Sequence, residues 1–384
     1  MSIKIVATAD NHLDPKVENF GSKRAARRRD FKQSFEFIVD YALEKKPDIF
    51  LQGGDLFHSI KPGNIARAWV MEQFRRLSEV GIQVVVVSGH HDTPKGVSTG
   101  ASPLRTHGHS GHVIFLENPT SPQSHTMKID GRTVQVTGIG SNPTLHPDED
   151  PLDIDIPAAL GDVNILLMHH PVLGFRGFMG DEAKVDPKKI PDGYQLAVTG
   201  HFHSAQHKVI GGTTIIYPGS SDRIDYREEK GEKSFSWIEI DDSNVISVKH
   251  ISIPTRTMRT VSITVSNGDD INKIVMERMA EIQDSELICR FQIAGAISTD
   301  TLSNYRRSVL LRHGDGLFFK TFIEEDFEIE GIGRLEPVMG TKPDEELMNH
   351  FGNLLKNTSK KAEQKVIKSA QKLCLKMLEE VRRE

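Results

Sequence analysis

The chain has 384 residues, of which 37% are hydrophobic and 26% are charged, and its formal net charge at pH 7 is −5. This length allows two or three modest hydrophobic cores, and the acidic balance excludes a chain that holds nucleic acid over its whole surface. Cys289 and Cys374 are far apart and exclude a disulfide framework, and no apolar stretch approaches the length of a membrane span. The amino terminus enters a strand directly, without a signal peptide, so we expect a cytoplasmic protein, or a nuclear one if the source is a eukaryote.

Five short segments rich in aspartate and histidine follow apolar runs that are typical of buried strands. These runs include Ile3–Ala7 and Ile49–Leu51 early in the chain, and Val163–Met168 and Leu196–Val198 later. Because open α/β sheets place their ligand sites at the carboxyl ends of strands, we expect the segments to converge. In chain order they are Asp10-Asn11-His12, Gly53-Gly54-Asp55, Gly89-His90-His91-Asp92, His169-His170-Pro171 and Gly200-His201-Phe202-His203.

The side chains in these segments suit a pair of divalent cations. Two cations about 3.5–4 Å apart neutralise the charge of a phosphate ester and activate water near neutral pH. Asp55 follows two glycines, which allow a sharp turn beside an ion, and it is the natural carboxylate to bridge both ions. Asp10 and His12 are two residues apart, as are His201 and His203, so the members of each pair face the same way in a continued strand. These features indicate a site that hydrolyses phosphate esters.

Helices alternate with strands early in the chain, and strands then dominate up to Ile253-Pro254. A helix is predicted from about Arg27 to Lys45, and a second one over Asn64–Glu79. This mixture predicts two sheets packed face to face with helices outside. The later predicted strands are Val113–Leu116, Thr133–Ile139, Thr213–Tyr217, Phe235–Ile240 and Val245–Ile251.

A small α+β domain is predicted next. Val261–Val265 alternates as a strand, Ile271–Ile282 has a helical pattern, and Ile288–Ile293 forms another strand. We place the domain boundaries at residues 1–255, 256–335 and 336–384.

Two amphipathic helices are predicted at the end of the chain, after a linker near Pro337 and Gly340. Such helices either fold back on their own domain or dock a partner, and the sequence alone does not decide between these alternatives. Their apolar positions are Leu347, Phe351, Leu354 and Leu355, followed by Val366, Ala370, Cys374, Met377 and Val381.

The order of the motifs, D-x-H, G-G-D, G-x-H-D, H-x-P and G-H-x-H, resembles the calcineurin-like metallophosphoesterase superfamily. Two flanking stretches are similar to the DNA double-strand-break repair nucleases of that superfamily, called SbcD in bacteria. One is Gly54–His58 followed by Lys61-Pro62, and the other is Tyr217–Arg223 followed by Glu228.

The resemblance implies a fold, an activity and partners. The fold would be an α/β, αββα sandwich with a small α+β capping domain and C-terminal helices. The activity would be manganese-dependent 3′-to-5′ exonuclease cutting of double-stranded DNA, with endonuclease cutting of single strands or hairpins. The partners would be DNA in the cytoplasm or nucleoid, an SMC-like coiled-coil ATPase (SbcC in bacteria) on the C-terminal helices, and a second copy of the chain through Asn64–Glu79.

The resemblance also divides the site into metal ligands and residues that act on the phosphate. His91 would contact the scissile phosphate, Asp92 would orient the imidazole of His91, and His58 would seat the DNA phosphate. The first ion would be held by Asp10, His12, Asp55 and His203, and the second by Asp55, His90, His169 and His201. His170 remains an alternative to His169.

One ligand departs from the family pattern, because His90 stands where the family has asparagine. The imidazole either replaces the amide oxygen and favours zinc or iron at the second position instead of manganese, or binds poorly and weakens that position. A third outcome is a DNA-end-binding subunit that has lost cleavage. A small-molecule phosphodiesterase with the same core is the other alternative function.

Two further groups of basic or imidazole side chains allow a functional and a structural interpretation. A basic run after the first motif either tracks a DNA backbone or forms the charged start of a helix. We favour the DNA contact. The histidines in Thr106–His112 resemble a metal cluster but lack a carboxylate, so we expect a solvated turn. The basic run consists of Lys23, Arg24, Arg27, Arg28 and Arg29.

Overall fold

The computed structural model describes residues 2–95, 100–177, 180–329, 333–334, 343–358 and 361–381. The chain divides into two compact units. One comprises residues 1–264, 270–293 and 304–325, and the other comprises residues 265–269, 294–303 and 326–384. No helix in the described ranges has both the length and the apolar character needed to cross a membrane.

Residues 2–253 contain twelve strands and three α-helices within the described ranges. The helices are α1 (Arg24–Lys45), α2 (Asn64–Glu79) and α3 (Leu104–Gly108). The strands are β1 (Ile3–Thr8), β2 (Ile49–Gly53), β3 (Gln83–Val87), β4 (Ile114–Phe115), β5 (Gln123–Ile129), β6 (Arg132–Ile139), β7 (Val163–Met168), β8 (Leu196–Thr199), β9 (Gln206–Ile210), β10 (Thr213–Tyr217), β11 (Lys233–Ile240) and β12 (Ile246–Ile253).

The strands form two six-stranded mixed sheets, ordered β12-β11-β1-β2-β3-β4 and β5-β6-β7-β8-β10-β9. In the first sheet β1, β2, β3 and β4 are parallel, with Ala7 opposite Leu51 and Leu51 opposite Val85. In the second sheet β6, β7 and β8 are parallel. The carboxyl ends of β1, β2 and β3 therefore share one edge, as do those of β7 and β8.

The two sheets pack face to face around a fully apolar core. Ile5 and Leu51 of the first sheet share this core with Ile165 and Val198 of the second. On the outer face of the first sheet, α1 and α2 cover it with side chains that include Phe35. Irregular segments between β6 and β8 cover the outer face of the second sheet. The predicted sandwich of two sheets with flanking helices is confirmed.

The rest of the chain contains a third sheet, ordered β13-β14-β15-β16, and five helices within the described ranges. The strands and helices predicted between residues 261 and 293 and the helical end of the chain are confirmed, whereas α5, α6 and β15 were not predicted. The predicted linker near Pro337 and Gly340 lies outside the described residues. The elements are β13 (Met258–Thr264), α4 (Ile271–Ala280), β14 (Ile288–Ile297), α5 (Thr299–Asn304), α6 (Arg307–Gly314), β15 (Lys320–Ile329), β16 (Gly333–Arg334), α7 (Pro343–Asn357) and α8 (Lys361–Val381).

Candidate metal centre

The five predicted segments lie at the carboxyl ends of β1, β2, β3, β7 and β8, where the two sheets come together. Four of their non-glycine residues have a positive φ, which such residues rarely adopt: 50° at Asp10, 45° at His12, 52° at Asp55 and 89° at His201. Each such residue costs about 1–3 kcal/mol, and strain of this kind concentrates at functional sites. The backbone therefore turns sharply after β1, β2 and β8, and these turns set the direction of the side chains.

Two glycines allow the sheets to approach at this point. A Cβ on Gly54 would lie 2.4 Å from Nδ1 of His169, and one on Gly200 would lie 2.5 Å from the same atom and from the carbonyl oxygen of Gly53. Gly54 also has a φ of 90°. The G-G-D and G-H-x-H motifs therefore need glycine for steric reasons, so that an imidazole from the second sheet can pack on the strand end of the first.

The first cluster of metal-binding side chains contains Asp10, His12 and His203, whose donor atoms all lie within 4.8 Å of one another. Nε2 of His12 lies 3.3 Å from Nε2 of His203. Nε2 of His203 lies 3.9 Å from Oδ1 of Asp10, and Nε2 of His12 lies 3.8 Å from Oδ2 of Asp55. These donor atoms converge, and they belong to the residues that the resemblance implies for the first ion.

The second cluster contains His90, His169 and His201, again with donor atoms within 4.8 Å of one another. Nε2 of His169 lies 3.4 Å from Oδ2 of Asp55 and 3.9 Å from Oδ1 of Asp10, and these three residues form a further cluster. Asp55 is therefore next to both imidazole groups, as expected of a bridging carboxylate.

The donor atoms fit a pair of cations chemically as well as in spacing. Nδ1 of His90 and Nε2 of His169 are buried without a hydrogen-bond partner in the described part of the chain. Burial lowers the pKa of His169, but the charges of Asp55 and Asp10 outweigh it and raise that pKa to about 10. Burial also acts to raise the pKa of Asp55, which the His169 charge nevertheless holds well below its usual range. A positive charge would therefore stabilise the buried carboxylates at the position where the unpartnered imidazole nitrogens converge.

Several of the imidazoles are backed by a hydrogen-bond acceptor on the ring nitrogen that faces away from the cluster, as is usual for metal-binding histidines. Nδ1 of His203 lies 2.9 Å from Oε1 of Glu228, and Nδ1 of His169 lies 2.7 Å from the carbonyl oxygen of Gly53. Nε2 of His201 lies 2.9 Å from Oε1 of Glu182. Sequence reasoning gave Glu228 no role although its position was noted, and it missed Glu182, which has no motif around it.

Two of the three residues predicted to act on the phosphate, His91 and His58, lie beside the first cluster. The His91 ring is exposed, stacks on the ring of His58 with centroids 5.0 Å apart, and meets His12 edge-on at 4.8 Å. Its backbone amide donates to Oδ1 of Asp55 at 2.7 Å, which fixes the loop next to the proposed bridge.

The predicted orientation of the His91 imidazole by Asp92 is corrected by the geometry. The Asp92 carboxylate is fully buried and accepts hydrogen bonds from backbone amides, that of Leu56 at 2.8 Å and that of Gly89. Nδ1 of His91 instead lies 3.1 Å from the carbonyl oxygen of His58. Asp92 therefore connects the loop after β2 to the loop after β3, and the carbonyl group of His58 orients the His91 imidazole.

Two other histidine predictions are decided by burial and contacts. His169, and not His170, joins the clusters, because Nε2 of His170 is directed to the carbonyl oxygen of Gly140 at 3.3 Å. The predicted solvated turn at Thr106–His112 is wrong for His107, which is fully buried at the end of α3 with its ring 5.7 Å from that of Phe57.

The basic run divides into one structural residue and four exposed ones. Lys23, Arg24, Arg28 and Arg29 are exposed. The prediction that Arg27 contacts DNA is wrong for the folded chain, because this side chain is 1% exposed. Its guanidinium donates to Asp30 and Asp222, each at 3.0 Å, and to the carbonyl oxygen of Arg223.

Comparisons with known proteins agree with this geometry. Residues 3–205 match the family described as calcineurin-like phosphoesterase. The chain is similar to the DNA double-strand break repair protein Mre11 of Methanococcus maripaludis, with 25% identity over 72% of this chain and 73% of that protein. It is 25% identical to the Mre11 protein of Aeropyrum pernix, over 71% of this chain and 66% of that protein. It is 23% identical to the Mre11 protein of Sulfolobus acidocaldarius, over 77% of this chain and 76% of that protein.

Proposed function

The chain belongs to the calcineurin-like phosphoesterase family, and from this premise we propose that it is a two-metal phosphodiesterase that cuts DNA in double-strand-break repair. The observation that carries the proposal is the position of Asp55 between two groups of imidazoles, 3.8 Å from Nε2 of His12 and 3.4 Å from Nε2 of His169. A carboxylate shared in this way is the central feature of a two-metal site.

The residues that would hold the ions are those of the first and second clusters together with Asp55. When bound, two such ions neutralise phosphate charge and lower the pKa of bound water. Manganese suits mixed oxygen and imidazole donors, while the three imidazoles at the second position also suit zinc or iron. The first position would use Asp10, His12, Asp55 and His203, and the second Asp55, His90, His169 and His201.

His91 is the residue proposed to act on the scissile phosphate. Its exposed ring, held through the His58 carbonyl oxygen, can donate a proton to the departing 3′ oxygen or hold the phosphate charge. His58, stacked beside it, would seat the phosphate of the DNA end. Asp92 would act indirectly, by fixing the loop that carries His91.

DNA is the proposed substrate because the similar proteins are named for double-strand break repair. The Gly54–His58 and Tyr217–Arg223 stretches, which resemble nucleases of that kind, support the same substrate. Lys23, Arg24, Arg28 and Arg29 are exposed and would contact the DNA backbone. The 3′-to-5′ polarity on duplex ends and the endonuclease action on hairpins belong to the same proposal.

Two surfaces support the proposed partners. Ile65 on α2 is 81% exposed, which suits the proposed homodimer contact through Asn64–Glu79. On α7 and α8, the apolar side chains of Met348, Leu354 and Val366 are exposed, and we propose that these helices dock the SMC-like ATPase.

The test is to incubate the purified chain, with Mn²⁺, with end-labelled linear duplex, hairpin DNA and bis(p-nitrophenyl) phosphate. Degradation of the duplex supports the proposal. Turnover of the small ester alone would identify a small-molecule phosphodiesterase, and DNA binding without turnover would identify an end-binding subunit. His91→Gln should lower cleavage by about 10²–10⁴-fold without changing metal content. His109→Gln, which alters an exposed histidine outside the clusters, is the matched control.

His90→Asn in the same assay tests the departure from the family pattern. A rise in cleavage would show that the imidazole weakens the second position. A fall would show that His90 is a working ligand.

A further inference from the structure

Glu182 makes polar contacts with two proposed ligands of the second ion, although it belongs to none of the motifs. Its Oε1 lies 2.9 Å from Nε2 of His201, and its Oε2 lies 3.9 Å from Nε2 of His90. The side chain is 26% exposed and lies in the irregular segment between β7 and β8. The carboxylate therefore hydrogen-bonds to one imidazole and lies near a second, beyond hydrogen-bond distance.

The position of Glu182 is that of a residue behind the ligands. Among the described residues, the second cluster of convergent donors contains His90, His169 and His201 but not Glu182. Nδ1 of His90 is buried without a hydrogen-bond partner, whereas Nε2 of the same ring faces the Glu182 carboxylate. The nitrogen available to a cation is thus the one that Glu182 does not face.

A carboxylate beside one ring nitrogen decides which tautomer the imidazole adopts. The proton stays on the nitrogen that faces the carboxylate, and the lone pair is left on the other nitrogen. Glu228 has the corresponding arrangement at the first position, where it contacts Nδ1 of His203 and leaves Nε2 facing His12 at 3.3 Å. The two positions are therefore each backed by one glutamate.

We propose that Glu182 is a positioning residue for the second metal ion: its hydrogen bond to Nε2 of His201 keeps the proton on that nitrogen and the lone pair on Nδ1, while its carboxylate also lies near Nε2 of His90. The inference deepens the proposed function and rests on its two-metal site. An asparagine ligand offers its oxygen without any choice of tautomer, whereas an imidazole at position 90 binds only when the correct nitrogen is deprotonated. By holding His201, Glu182 thus supports a second position with three imidazoles, which suits nitrogen-preferring ions such as zinc or iron.

The test measures metal binding directly, without reference to cleavage. The apo protein is titrated with Co²⁺, following visible absorption, and its Zn²⁺ and Mn²⁺ content is measured after dialysis at limiting metal. Glu182→Gln should weaken binding of one of the two ions by about 10–100-fold and leave the other unchanged. Glu228→Gln should weaken the binding of the other ion. Asp181→Asn, which removes the same charge from the exposed neighbouring residue, is the matched control and should bind as the wild type does.

The outcomes separate this inference from the proposed function. Wild-type affinity for both ions in Glu182→Gln overturns the inference, as does an equal loss at both positions, which would indicate a general effect of charge or folding. Binding of fewer than two ions by the wild-type chain overturns the proposed two-metal function itself. Circular dichroism of each variant confirms that the comparison is made between folded proteins.

Discussion

Replacing Arg27 with methionine should destabilise the fold severely while leaving contacts to DNA intact. The guanidinium is 1% exposed and its partner Asp222 is fully buried, so the substitution leaves a buried carboxylate without its counter-ion. Asp222 retains a hydrogen bond from Ser34 at 3.0 Å and one from the Arg223 amide at 2.7 Å, but loses its counter-ion. Breaking a buried ion pair in this way costs about 3–5 kcal/mol.

This loss is measurable by urea denaturation followed by tryptophan fluorescence. With a slope of about 3 kcal/mol per molar urea, the unfolding midpoint of Arg27→Met should fall by about 1 M or more. Arg28→Met is the matched control, because that side chain is 44% exposed and its carboxylate neighbour Asp14 lies 3.7 Å away. Its stability should stay within about 0.5 kcal/mol of the wild type, while its DNA affinity falls.

A second substitution distinguishes the stranded charge from lost packing. Adding Asp222→Asn to Arg27→Met removes the uncompensated carboxylate and should recover part of the lost stability. An Arg27→Met protein that unfolds at the wild-type urea concentration but no longer binds duplex DNA would refute this reasoning and restore Arg27 as a DNA contact.

Three smaller perturbations test other features. Gly54→Ala should displace His169, whose Nδ1 would lie 2.4 Å from the new Cβ, and strain the turn before Asp55, so analysis of metal content should show fewer bound ions than in the wild type. His107→Phe should raise the free energy of unfolding by about 1 kcal/mol, because both ring nitrogens of His107 are buried without partners beside Phe57. A lower midpoint of unfolding in urea would contradict this expectation. Burial raises the pKa of the Cys289 thiol to about 12, so iodoacetamide at pH 8 should label Cys289 only in the unfolded chain, as mass spectrometry of its peptide can check.

The site was predictable where its residues follow a strand. Apolar runs such as Ile49–Leu51 identify the strands, and the glycines after them indicate sharp turns, so the positions of Asp55 and His201 followed from local pattern. The family resemblance then assigned His169 in preference to its neighbour His170. Those residues are close together because the order of parallel strands brings their ends to one edge.

The residues that sequence reasoning missed or misjudged depend on contacts between distant parts of the chain. Arg27 looked like part of a solvated basic run, yet its partner Asp222 lies 195 positions away. Glu182 lies in an irregular segment with no periodicity, so nothing local indicated that it would reach His201. A charged residue is rarely buried unless it is paired, so the sequence does not reveal its burial until the folded position of its oppositely charged partner is known.

The division of the ligands between the two sheets explains why no single segment could have identified the centre. Asp10, Asp55 and His90 come from the first sheet, whereas His169 and His201 come from the second. The Asp10 carboxylate also accepts a hydrogen bond from the His201 amide, at 3.0 Å, so the sheets are already joined at the site before an ion binds. The apolar core between the sheets thus sets the spacing of the donor atoms. A core substitution that separated the sheets would therefore weaken the binding of both ions together, whereas a substitution at Glu182 should affect only one.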